Sequence, residues 1–104
     1  MTNQKRTIQN IPAKTIEWGK TSEEPLTRKE AIKWCKEQGG RLPTRVELLQ
    51  AYDDKVEGFE KGYYWSSTEN AGYPDFGWGV DFYGGGVDVD GYGSYYARCV
   101  YDIK

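Results

Sequence analysis

Asp88 and Asp90 alternate with Val87 and Val89 near the carboxy end of the chain, and two carboxylates on one strand face are oxygen ligands of the kind Ca²⁺ takes. The "DVDG" beginning at Asp88 opens like a helix-flanked calcium loop, but no Glu stands at the twelfth position and no helix pair flanks it. With no His and only two Cys, the chain has too few of the usual ligands for a zinc site. Catalysis finds equally little. Ser66 and Ser67 have no evident base, and Asp53 and Asp54 are adjacent, a pattern that suits a solvated loop better than an acid and a base. The expectation is a protein that is not an enzyme and carries no metal or cofactor.

What remains is the run "YGGGVDVDGYGSYY" at residues 83–96, almost wholly Gly, Tyr, Asp and Val. The elements that must hold it follow from the rest of the chain. At 104 residues there is room for one domain with a single core, to which four Trp, nine Tyr and three Phe bring large buried area. The net charge is −2, unevenly spread. No Lys or Arg lies between Lys61 and Arg98, whereas Glu69, Asp75, Asp81, Asp88 and Asp90 do. Such a surface is unsuited to phosphate, so nucleic acid is not an expected partner, and no segment is long and apolar enough to span a bilayer, so membrane insertion is not expected either. Residues 1–12 read as a polar leader without the apolar run of a signal peptide, which points to a cytoplasmic protein or one carried on a virion or surface assembly.

Residues 13–104 read as the domain. Residues 13–18 alternate as a first strand. "TRKE" at 27–30 has capping-box spacing and opens a helix with Ala31, Ile32, Trp34 and Cys35 on its apolar face; Gly39 and Gly40 end it. "TRVE" at 44–47 opens a second, with Leu48, Leu49 and Tyr52 inward. From Tyr63 the period becomes two, giving strands at 63–68, 77–83, 86–90 and 95–101 with glycine turns between. Val80, Phe82 and Val87 point to the core, and the alternate residues face solvent. The four Trp are core, "WSST" bonds through its hydroxyls, and Arg41 and Arg98 are structural ion-pair partners. This is an α+β domain, two short helices packed on a small antiparallel sheet.

The runs "AIKWCKEQGGRLPTRVELLQAYD", "YYWSSTE" and "YARCVY" together resemble the C-type lectin-like fold of the Lcl collagen-like adhesin C-terminal type, across residues 16–101. The branch includes variable proteins of diversity-generating retroelements in phages, bacteria and archaeal viruses. "GGRLPT" is shared with formylglycine-generating enzymes, whose closely spaced cysteine pair is missing here. The calcium-lectin motifs "EPN", "QPD" and "WND" are absent as well. The resemblance implies that Cys35 and Cys99 are neighbours, as a disulfide or as two buried thiols.

It also implies a use for the Tyr/Asp/Gly/Ser run. Retroelement variable proteins are randomised at adenine-rich codons, commonly AAC, whose variants never encode Lys, Glu, Gln, Met or Trp; none of these occurs at 79–96. Tyrosine with Gly, Ser and Asp is also the composition of antibody binding loops. The implied ligand-binding residues are Tyr73, Asp75, Asp81, Tyr83, Gly84, Gly86, Asp88, Asp90, Tyr92, Ser94 and Tyr95, recognising a protein or glycan on a cell surface. The alternatives are a calcium-dependent carbohydrate-binding module and a structural adhesin or virion assembly module.

Overall fold

The structure is a computed structural model that describes residues 7–11 and 14–103. Three strands, β1 (Thr7–Ile11), β2 (Lys14–Thr21) and β3 (Leu26–Thr27), lead into helices α1 (Arg28–Glu37) and α2 (Arg45–Asp53). Five more follow: β4 (Tyr63–Asn70), β5 (Tyr73–Asp81), β6 (Val87–Asp90), β7 (Ser94–Tyr95) and β8 (Arg98–Ile103). The α+β class and the two helices agree with the sequence reading. In place of one sheet there are three antiparallel ones among the described residues, ordered β1-β2-β8, β3-β7 and β4-β5-β6. The β4-β5-β6 meander is as expected; the expected last strand is divided between β7 and β8. Among the described residues no helix is long and apolar enough to cross a membrane.

Both helices start where local chemistry demands. Thr27 and Thr44 accept the backbone N–H of Glu30 and Glu47, and each Glu carboxylate accepts the N–H of its Thr, so both capping boxes close. Gly39, at φ +80°, follows the α1 C-cap. The apolar face of α1 is narrower than its pattern suggests: Ala31 and Cys35 are buried, Trp34 is half-buried, and Ile32 is exposed.

Part of the polar leader turns out to be structural. β1 pairs with β2, and Gln9 is buried between them, accepting from the Trp18 indole at 2.9 Å and donating to Asp54 at 2.8 Å. The remaining leader residues, 1–6 and 12, lie outside the described residues.

Two clusters make the core. Ile16, Trp18, Leu48, Ala51, Tyr64, Val80 and Val100 form one; Phe59 and Phe82 stack at its margin. Ala31, Cys35, Leu42, Trp65, Ala97 and Cys99 form the other. Of the four tryptophans, Trp18 and Trp65 are fully buried, while Trp34 and Trp78 are half-buried. Cys35 and Cys99 are joined as a disulfide with Cα atoms 5.4 Å apart. Arg41 bonds Glu47 through both carboxylate oxygens (2.8 and 2.9 Å) and Asp102 through both of its own (2.9 and 2.8 Å). Arg98 corrects the ion-pair expectation. It is buried, its described acceptors are the carbonyls of Gly19 and Glu57, and its guanidinium lies over Phe59. Burial pushes its pKa down to about 10.

Reducing the disulfide frees a loop with a sequence separation of 64. A loss of about 4 kcal/mol is expected by the chain-entropy argument, measured as the difference in urea unfolding between oxidised and reduced protein. Arg41→Ala should cost about 3 kcal/mol in the same assay, because it leaves the Glu47 carboxylate buried without its cation.

Candidate functional site

The residues singled out by composition lie on β5, β6 and the turns around them, and glycine decides how they are arranged. In antiparallel pairs, opposed residues share a face. Tyr64 pairs with Val80 and Val80 with Val87; Trp65 pairs with Gly79 and Gly79 with Asp88. The first face lies on the Ile16 and Trp18 cluster. The second is covered too, because the Tyr95 ring sits over Gly79, against Trp65 (4.4 Å) and Tyr63 (5.0 Å). Arg28 lies in the same way over Gly77. A Cβ at Gly79 would stand 2.6 Å from the Tyr95 ring, so only glycine leaves room for this layer. The expectation of one core face and one solvent face therefore fails at the centre of the sheet. It fails at the edge as well, since Val87 on β6 is exposed instead of anchored.

Tyr95 consequently belongs to the frame. Burial, then the Asp90 charge, pushes its pKa up to about 12, and its hydroxyl bonds the Asp90 carboxylate. Asp90 is partly buried and held below the usual carboxylate range by the backbone N–H groups of Tyr92 and Gly93, at 2.8 and 3.0 Å. Asp81 is also partly buried. Its carboxylate accepts from the Tyr83 N–H, and its backbone closes the β5–β6 turn by bonding Gly85 and Gly86. Gly85, at φ +79°, is the member of the glycine triplet that takes the left-handed conformation.

The open residues are Tyr73, Tyr83, Gly84, Gly86, Asp88, Tyr92 and Ser94, with the three tyrosines 67%, 71% and 88% exposed. The side chain of Asp75 lies outside the described residues. These positions do not form one patch. Tyr83, Gly84 and Gly86 occupy the β5–β6 turn. Tyr73 and Tyr92 meet at the other end of β5, on either side of Phe76 (5.6 and 5.2 Å). With nine residues in β5, the two ends stand about 25 Å apart. Asp88 lies between them, its carboxylate accepting the Val89 N–H.

Each exposed tyrosine rides on a pinned turn. Asn70 Oδ1 accepts from the backbone of Gly72 and Tyr73, Asp81 Oδ1 from Tyr83, and Asp90 Oδ1 from Tyr92. The hydroxyls of "WSST" bond as expected, Ser66 to the Trp78 carbonyl at 2.6 Å and Thr68 from the Arg45 N–H at 2.9 Å. Among the described residues no group of three or more His, Cys, Asp or Glu converges as a metal site.

Fold and site together define a small α+β domain with two aromatic, partly acidic turn clusters at the ends of one meander. Comparison with protein-family models, with curated proteins and with solved structures finds no match.

Two measurements separate frame from face. Gly79→Ala is expected to destabilise by about 1–3 kcal/mol through overpacking against Tyr95, while Gly84→Ala, whose Cβ would meet nothing closer than 3.8 Å, changes stability by less than about 0.5 kcal/mol. Folded Tyr95 keeps its proton to about pH 12, whereas an ordinary phenol loses it near 10.0. The unfolded state therefore sheds this proton first, and stability falls as pH rises between those values. Tyr95→Phe should make that fall in unfolding free energy shallower.

Proposed function

We propose that this chain is a ligand-binding domain of the C-type lectin-like kind, built as retroelement variable proteins are, which recognises a protein or glycan on a cell surface. Its recognition residues are Tyr73, Tyr83, Gly84, Gly86, Asp88, Tyr92 and Ser94. Asp81, Asp90 and Tyr95 hold the turns that present them.

The observation that carries the reading is the exposure of three tyrosines, each on a turn fixed by a side-chain acceptor. A pinned backbone lowers the ordering cost of binding. Tyrosine adds wide amphipathic contact with few rotatable bonds. The Cys35–Cys99 link and the two core clusters hold the frame through residues other than the open ones, so side chains at the open positions can change while the fold persists. Two clusters about 25 Å apart suit a macromolecule better than a small molecule, because only a large partner reaches both.

A displayed library randomised at the seven recognition residues tests this directly. Its members are expected to yield binders to unrelated proteins, with melting temperatures within about 5 °C of the parent, the shift that about 1 kcal/mol produces in a domain of this size. General unfolding of the library would mean that these side chains hold the fold. The coding DNA offers a second readout: a near-copy of the final segment differing at adenines, beside a reverse transcriptase gene.

A further inference from the structure

The surface along α1, which adjoins the Tyr92 turn at Gly91, carries features that the reading above does not use. Arg28, Ile32 and Lys36 stand at i, i+4 and i+8 on α1, one stripe of the helix, and Ile32 between the two cations is 42% exposed. The stripe lines a cleft of about 370 Å³, whose opposite wall includes Leu42, Ser67 and Glu69. A second hollow of about 440 Å³, lined by Thr27, Arg28, Lys29, Ile32 and Gly91, shares Arg28 and Ile32 with it, so the two adjoin along that stripe and are treated as one trough.

Its charge is lopsided. No described carboxylate pairs with Arg28, Lys29 or Lys36, and Glu69 is the acidic side chain among the described lining residues. Arg41, also in the wall, is already engaged by Glu47 and Asp102. Arg28 lies over Gly77, and the described acceptor of its guanidinium is the Ser67 carbonyl at a long 3.4 Å, so its terminal nitrogens keep donors to spare. A positioned guanidinium with unspent donors favours a carboxylate partner.

We infer that this trough binds an extended acidic segment of a partner protein with the pattern acidic–x–apolar–x–acidic. The spacing argues for it. Eight residue steps along the helix separate Arg28 from Lys36, about 12 Å along the axis. In an extended chain, residues i and i+4 lie about 13 Å apart on the same face, with i+2 between them. Two carboxylates thus reach the two cations while the middle side chain covers Ile32.

The probe is a fluorescein-labelled peptide of sequence glycine–glutamate–serine–leucine–serine–glutamate–glycine, read by fluorescence anisotropy at low and physiological salt. Binding is expected, weakened about tenfold by Lys36→Gln or Ile32→Ser and more by Arg28→Gln with Lys36→Gln, and unchanged by Lys55→Gln, which follows the end of α2 and does not line the trough. A peptide of the same composition with its two glutamates adjacent should bind at least fivefold more weakly. Circular dichroism of each variant keeps loss of binding distinct from loss of fold, and Lys36→Gln and Ile32→Ser report without disturbing the Arg28 contact with Gly77. Absence of binding at low salt, equal affinity for the rearranged peptide, or indifference to Lys36→Gln and Ile32→Ser would overturn the assignment. So would self-association in light scattering that Lys36→Gln abolishes, since the occupant would then be a second copy of this chain. None of these outcomes bears on the tyrosine turns.

Discussion

A carboxylate inside the protein governs much of this fold. Glu47 is 1% exposed, and an ion so placed survives only if its oxygens are fully used. They are: one oxygen takes the Thr44 N–H and an Arg41 nitrogen, and the other takes the second Arg41 nitrogen. Arg41, held well above the ordinary guanidinium range by Glu47 and then by Asp102, carries the charge balance outward to β8. One side chain therefore fixes the start of α2, the strand that closes the domain and the residues linking α1 to α2. The backbone repeats the connection, with Arg41 and Val100 exchanging both hydrogen bonds.

Around this clamp the protein meets a spatial demand through missing side chains. The β4-β5-β6 sheet is covered on both faces, and the second covering works because β5 carries glycine at 77 and 79, where Arg28 and Tyr95 lie against bare backbone. The same device recurs at Gly91, which leaves room for the Phe76 ring between Tyr73 and Tyr92. A glycine-rich stretch thus serves two ends here, tight turning at Gly85 and close packing elsewhere.

How far the sequence could be read follows from the range of the interactions. Both helices were legible because a capping box is a four-residue signal, complete at Thr27 with Glu30 and again at Thr44 with Glu47. The strands of the meander were legible from alternation. The partition into three sheets was not, because it depends on β8 pairing with β2, far away in sequence. The Gln9 contact to Trp18 gave no periodic sign, so β1 passed for a leader. Alternation suggested that Asp81, Asp90 and Tyr95 face outward, but it cannot register a ring folded back over Gly79. Composition served better for Tyr73, Tyr83 and Tyr92, since tyrosines among turn residues have little core to enter. The trough on α1 was hidden because Ile32 fits an apolar stripe as well as an open surface.

The segment from Ser94 to Ile103 touches every sheet: β7 completes β3, Tyr96 exchanges bonds with Tyr63 and Trp65, and β8 joins β2. During synthesis these partners leave the ribosome first and must wait, with Trp65 and Trp18 uncovered, until the last stretch emerges. Closure is thus a late, non-local event, of the kind that folds slowly and leaves nascent chains in need of chaperone protection.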